Sequence, residues 1–449
     1  MTTENQPTPV PRPQGEAQQV GDIHDRWGWV EPSVWTGRML TALEKGVKGG
    51  KWFRLIDKVY NERNLQSAFW AVQRNQGRPG VDGQTIAQFE QQEQAALAEL
   101  AASLRAGTYQ PYPARRAYIA KLGSTEKRPL GIPAVRDRVV QGALRHVIEP
   151  ILERQFAAHS YGFRPGRGCK DALRRVDELL AAGFTWVVDA DLKSYFDTIP
   201  HDRLLARVRE HIADGPVLRL IESYLKAGVL EELRGWQPSE RGTPQGAVSS
   251  PLLANLYLNP LDHEMARAGR EMVRYADDFL LLCRTKAEAE AALAAVRAWV
   301  AAEGLHLHPD KTRIVDATQR GGFDFLGYHF ERGYKWPRTK SLKKLRDRLR
   351  QETRRTNGQS LPVIIAKVNP VVRGWFVYFK HSLPNVFAPL DGWVRMRLRS
   401  ILRKRQGRRG RGRGQDHHRW PNAYFTEQGL FSLVTAHAEL VRQSHCRPH

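Results

Sequence analysis

The sequence predicts a mixed α/β chain of several domains, organised around an α+β unit of the split-βαβ type. Three observations carry that expectation. The chain has 449 residues, enough for about three domains. Residues 184 to about 330 alternate as strand, helix, strand, strand, helix, strand, with other helices inserted after the first one. From about residue 338 onward the pattern is helical and very basic.

Residues 1–22 are rich in Thr, Gln, Pro and Glu, with little to bury, and read as a disordered tail. Residues 23–183 mix helical patterns with short basic strands. Ala95 to Arg105 is an Ala/Leu-rich helix stopped by Gly107. Arg115 to Ile132 sets basic residues between apolar ones, and its Pro-Leu-Gly-Ile-Pro ending breaks any helix. Phe184 to Asp191 reads as a strand with an acidic end. Leu204, Leu205, Val208 and Ile212 form one face of a helix. Met272–Tyr275 and Phe279–Cys283 flank an Asp-Asp pair and read as a hairpin. Thr285 with Glu288 predicts a capping box, opening a helix that buries Ala289, Leu293, Val296 and Val300 and ends at Gly304. Arg313–Val315 supplies a last short strand. No fixed-period repeat is present.

Charge narrows the partners. Lys and Arg number 70 and Asp and Glu 47, so the net charge is 70 − 47 = +23. That balance implies a polyanion, nucleic acid first. Three cysteines (Cys169, Cys283, Cys446) exclude a disulfide scaffold and paired Cys-x-x-Cys zinc clusters, and fit a reducing compartment. The most apolar stretch, Leu179 to Val188, is too short to span a bilayer, and no leader opens the chain. The expected location is therefore cytoplasmic, with no membrane partner.

The chemistry gathers on carboxylates. Asp191 ends the first strand of the split pattern, and Asp277 and Asp278 lie at the hairpin tip. That topology makes these strands neighbours, so the three carboxylates converge on one sheet edge. Unpaired charges about 5 Å apart repel by roughly 3 kcal/mol per pair at an effective dielectric of ~20. Such a cluster needs a counter-charge, and oxygen-only donors favour Mg²⁺. Two such ions suit activation of a 3′-hydroxyl and release of pyrophosphate, which is nucleotidyl transfer. An Asp-Asp pair alone also suits a polar turn. The apolar flanks, the placement opposite Asp191 and the +23 charge favour the metal site. Asp189 and Asp197 read as structural.

These motifs resemble the reverse transcriptases of group II introns. YADD at 275–278 resembles their catalytic box, VVDADLKSYFD at 187–197 their first acidic motif, and RGTPQGAVSSPLLANLYL at 241–258 their Pro-Gln-Gly motif. KRPLGIPAVRDRVVQ at 127–141 and HSYGFRPGRGCKDAL at 159–173 resemble the finger motifs, and FDFLGYHF at 323–330 the primer grip. NPVVRGWFVYFK at 369–380 and LDGWVRMRLRSILRKR at 390–405 resemble the thumb and maturase region. The similarity runs from about residue 50 to 405.

The resemblance implies a right-hand polymerase. Residues 23–183 would form an N-terminal extension and fingers, 184–330 a split-βαβ palm, and 338–449 a helical basic thumb/maturase region. Asp191, Asp277 and Asp278 would hold two Mg²⁺ ions. Phe196 would pack under the incoming sugar and exclude a 2′-hydroxyl; ordinary core packing is the alternative. Lys121 and Arg128 would grip the triphosphate; the same residues also fit a solvated strand face. Gln245 and Gly246 would let backbone approach the nucleotide and template, or form a plain turn before a helix capped by Ser249-Ser250. Lys311 would stand near the leaving pyrophosphate as general acid, or be an exposed side chain beside a turn. Leu326, Gly327 and Tyr328 would hold the primer end; a plain hairpin is the alternative.

In the basic C-terminal segment, Arg403, Lys404, Arg405, Arg408, Arg409, Arg411 and Arg413 read as seven unpaired cations for RNA, or as a solvated, disordered basic loop. Trp375 and Trp393 read as mostly core. A Cys- and His-rich nuclease module, present in many relatives, is expected to be missing. The implied function is an RNA-directed DNA polymerase encoded by a group II intron, which also binds intron RNA to assist splicing and mobility. Its partners would be intron RNA, RNA template, DNA primer or target, and dNTPs. The alternatives are a reverse transcriptase of a non-intron system and an RNA-binding splicing factor without polymerase activity.

Overall fold

A computed structural model describes residues 23–120 and 127–445 of the chain. The tail expected at 1–22, Lys121 and Cys446 lie outside the described residues.

Residues from 23 onward begin with a helical region: α1 (Gly37–Lys45), α2 (Glu62–Asn75) and α3 (Glu93–Ala106), the last closed by Gly107 in the left-handed conformation. Strands β1 (Ala114–Ala120) and β2 (Lys127–Ile132) follow, then the buried helix α4 (Val135–Glu153) and α5 (Cys169–Ala181). Helices α2 and α4 approach closely because position 142 is glycine; a Cβ there would lie 3.1 Å from that of Ala68. The segment before α2 is tied inward. The Trp35 indole donates to the His146 carbonyl at 2.9 Å, and the buried Asp214 accepts the amides of Leu55 and Ile56.

The split pattern predicted for 184–330 is present. Strand β3 (Trp186–Asp191) is followed by α6 (His201–His211), α7 (Gly215–Lys226), β4 (Val229–Glu231), β5 (Gly235–Gln237) and α8 (Ser250–Arg267). Then come β6 (Glu271–Tyr275), β7 (Asp278–Cys283), α9 (Lys286–Ala302) and β8 (Arg313–Asp316). The central sheet has the order β6-β7-β3-β8 and is antiparallel throughout. Its apolar residues divide by parity. Val188, Phe279, Leu281 and Cys283 join the core shared with α4, α8 and α9. Val187, Val273, Leu280 and Leu282 join a second core under α5. Both faces are covered, so the strands read as continuous apolar runs rather than as alternation. Strands β4 and β5 leave this unit and extend the sheet begun by β1 and β2, order β2-β1-β4-β5.

A separate sheet, order β11-β10-β9, is built from β9 (Phe323–Phe325), β10 (Tyr328–Glu331) and β11 (Tyr334–Pro337). Helices α10 (Thr339–Glu352), α11 (Leu361–Phe379), α12 (Phe387–Arg405) and α13 (Leu433–His445) then enclose a core of their own. Trp375 and Trp393 pack against it half-buried. Asp391 ties its end by accepting the Leu433 amide at 3.0 Å and the Ser432 hydroxyl at 2.8 Å. Among the described residues no helix is long and apolar enough to cross a membrane.

Local expectations are corrected at three points. The Thr285 hydroxyl caps the Glu288 amide, but the Glu288 carboxylate accepts from the Arg284 amide, so the box is not reciprocal. Ser249 makes no side-chain cap; instead the Ser250 hydroxyl donates to the Pro244 carbonyl at 2.9 Å and holds the preceding loop. Asp278 is the first residue of β7 rather than part of the turn, which comprises only Ala276 and Asp277.

Candidate active site

The site forms where β3 and β7 end. Antiparallel register pairs Asp191 directly with Asp278, and Asp277 occupies the adjoining two-residue turn. Asp189, two residues deeper on the same face of β3, pairs with Arg313 of β8 at 3.3 Å. Burial, then the carboxylates of Asp189, Asp277 and Asp191, push the Asp278 carboxyl up to about 7, against an opposing field from Arg338. Asp278 thus resists ionisation at neutral pH unless a positive charge joins it. Among the described residues no three His, Cys, Asp or Glu side chains close into a ready-made cation cage. Among the described residues the Lys311 ammonium pairs with Asp191. The chain after α9 brings it there: the Lys193 amide donates to the His306 carbonyl at 2.8 Å and the His308 amide to the Asp191 carbonyl at 2.7 Å.

The Ala276–Asp277 turn needs support, because Ala276 sits at φ +60°, which is costly for a residue with a Cβ. Arg274 supplies it. Its side chain is fully buried, pairs with Asp262 (Nε to Oδ1, 2.7 Å) and donates to Asn255 at 2.9 Å and the Ala276 carbonyl at 2.8 Å. Sequence reading missed Arg274 and Asp262. The available signal was an arginine inside the apolar run Met-Val-Arg-Tyr, where an unpaired charge would be prohibitive. Breaking such a buried pair costs roughly 3–5 kcal/mol. The 159–163 segment docks on the same turn: a Cβ on Gly162 would lie 2.4 Å from the Ala276 nitrogen, so only glycine fits.

The Pro-Gln-Gly loop is strapped to the turn after β3. The Thr243 amide donates to the Phe196 carbonyl at 2.7 Å and the Gly242 amide to the Ile199 carbonyl at 2.7 Å. Phe196 is half-buried and meets the Tyr195 ring edge-on at 5.6 Å. The carbonyl of Gln245 accepts the Gly131 amide at 2.7 Å, which joins β2 to the loop. Gly246, exposed at φ +108°, faces the Gly131 carbonyl; a Cβ there would lie 2.6 Å from that oxygen. Arg128 stands in β2 opposite Ile119.

Leu326 (φ +45°) and Gly327 (φ +88°) form the turn between β9 and β10. Their carbonyls accept from the Tyr378 hydroxyl at 2.6 Å and from the Arg338 amide at 3.0 Å. Tyr328 is corrected: it is buried, and its hydroxyl donates to the Tyr378 carbonyl at 2.7 Å. It shapes the turn from below. The reason is strand alternation, since Tyr328 shares the inward face of β10 with Phe330.

The basic segment is corrected at Arg403. This residue is not unpaired: it binds the buried Asp416, whose carboxylate also accepts the Arg413 amide at 3.0 Å. The acid lies just beyond the cationic run, so a count confined to the run misses it. Arg405 donates to the Gln359 carbonyl. Lys404, Arg405, Arg408, Arg409, Arg411 and Arg413 are exposed.

A family model described as reverse transcriptase (RNA-dependent DNA polymerase) matches residues 119–330. A second, described as the group II intron maturase-specific domain, matches residues 342–420. Protein YkfC of Escherichia coli is 38% identical over 295 residues, covering 57% of this chain and 76% of that protein. The group II intron-encoded protein LtrA of Lactococcus lactis is 46% identical over 162 residues, covering 36% of this chain and 26% of LtrA. An uncharacterized 91 kDa protein in the cob intron of Schizosaccharomyces pombe is 45% identical over 160 residues, covering 36% of this chain and 20% of that protein. The matched segment thus spans about three quarters of YkfC and about a quarter or less of the other two.

Proposed function

The chain belongs to the family of group II intron-encoded reverse transcriptases and maturases, and from that premise we propose how its residues carry RNA-directed DNA synthesis. It is an RNA-directed DNA polymerase. The observation that carries the reading is the register pairing of Asp191 with Asp278 beside Asp277, with the Lys311 ammonium on Asp191.

The donor set fits a hard divalent cation. All three groups are carboxylates, and Asp278, pushed up to about 7, ionises more fully at neutral pH once a positive neighbour joins it. Asp191, Asp277 and Asp278 would hold two Mg²⁺ ions, which when bound make the primer 3′-hydroxyl a better nucleophile and offset charge on the leaving pyrophosphate. Lys311 gives a proton to that pyrophosphate. Phe196 packs under the deoxyribose, where a 2′-hydroxyl would clash with its ring. Lys121 and Arg128 neutralise the triphosphate. Gln245 and Gly246 present backbone to the nascent pair, and the Leu326–Gly327 turn holds the primer end.

The helical unit from α10 to α13 binds intron RNA. By favouring the folded intron over unfolded forms it assists splicing, as any ligand of a folded state does. The test is primer extension by the purified chain on an RNA template with Mg²⁺ and dNTPs. Product is expected from the wild type, with loss of at least about a hundredfold in Asp278→Asn. Equal extension by that variant would overturn the assignment.

A further inference from the structure

A groove of about 760 Å³ lies between α5, the β10–β11 hairpin and the end of α11, and none of the three carboxylates lines it. Its volume falls in the range of small-ligand sites. Three separate elements bring cations to it: Lys170 and Arg174 from α5, Lys335 from β11, and Lys380 just after α11. Lys335 is already committed to Asp177, and its ammonium lies 5.5 Å from the Tyr328 ring centre. Lys170 and Lys380 have no such acid partner among the described residues. His381, in the same wall, is held below its ordinary pKa by burial and by the surrounding Lys335, Lys380 and Lys170, with Asp177 opposing. The groove is therefore a focus of positive potential over an aromatic floor. At its rim Tyr334 presents an aromatic ring that is 59% exposed.

We infer that this groove holds an unpaired nucleic-acid strand outside the catalytic cleft. Phosphates lie against Lys170 and Lys380, and a base stacks on Tyr334. Cations alone would suit any anion; exposed cations from separate elements beside an exposed ring favour a nucleotide strand, whose phosphates and bases both find partners there. The site touches the primer-holding turn through one residue. Tyr378 lines the groove, and its hydroxyl donates to the Leu326 carbonyl at 2.6 Å. The inference rests on the proposed function only in taking nucleic acid as the partner.

The test uses the full chain saturated with an RNA-template/DNA-primer duplex, so that the cleft is filled. A short oligouridylate carrying 4-thiouridine and a fluorophore is the probe. Wild type is expected to bind it and to cross-link within 328–337 or 378–384. Lys170→Glu with Lys380→Glu is expected to weaken binding about tenfold or more and to flatten the salt slope by roughly 1.4, two phosphates at ~0.7 each. Tyr334→Ala is expected to weaken binding and abolish the cross-link at that position, with duplex extension unchanged in both variants. Unchanged affinity and cross-links in both variants would overturn the inference, as would full displacement by millimolar uridine monophosphate, which would make the groove a mononucleotide pocket. Extension of the duplex by wild type reports separately on the polymerase reading, so the two fail independently.

Discussion

Asp278 shows how one side chain couples stability to chemistry. Its carboxyl is raised from 3.8 to about 7 in the folded chain. A raised carboxyl binds its proton more tightly folded than unfolded, so folded stability falls as pH rises from about 4 to 7. Asp278→Asn removes the charge and keeps the shape. In the presence of a chelator its thermal midpoint is expected above wild type at pH 8 and equal to it near pH 4. The shift corresponds to an upper limit of about 4 kcal/mol. A variant less stable than wild type at pH 8 would contradict the electrostatic account. Phe196 makes a different demand. Phe196→Ala is expected to raise ribonucleotide incorporation relative to deoxynucleotide, read from competing extension with rNTPs and dNTPs. Unchanged discrimination would leave the Phe196 ring as core packing, beside a backbone carbonyl that anchors the Pro-Gln-Gly loop.

At the scale of elements, the site is assembled by loops strapped to one another. The Pro-Gln-Gly loop is bound on one side to the turn after β3 and on the other to β2. Gly246 is where that second seam closes. An alanine there would meet the Gly131 carbonyl at 2.6 Å and adopt φ +108°, two penalties at one position. Gly246→Ala is expected to cut extension at least about tenfold while shifting the thermal midpoint by no more than a few degrees, because the seam lies at the surface. A large loss of stability with activity retained per folded molecule would show a purely structural glycine. Element order was legible in the sequence because apolar period and acidic strand ends are local. The inward turn of Tyr328 was harder to read, since three consecutive residues at a hairpin point in alternate directions and the register sets which one is buried.

At the scale of the molecule, the +23 charge is spread unevenly. The basic segment from the end of α12 onward carries six exposed cations, whereas Arg403 is taken up by Asp416. Replacing Lys404, Arg408, Arg409 and Arg411 together by Gln is expected to reduce the salt slope of binding to a structured intron RNA by up to roughly 2.8, four phosphates at ~0.7 each. Primer extension on a short template is expected to persist. An unchanged slope would remove this segment from the proposed RNA-binding surface.

The sequence by itself determined the split-βαβ order, the three acidic positions, the basic character of the C-terminal unit and, through its motifs, the family. All of these are encoded in residue type and short-range spacing. Only the tertiary structure decided what surrounds them: that Arg274 and Asp262 brace the turn of Asp277, that Lys311 reaches Asp191 across 120 residues, and that Asp416 neutralises Arg403. Those partners are chosen by packing and register between distant segments. A buried charge is stable only beside its complement, and the chain must fold before the two can meet.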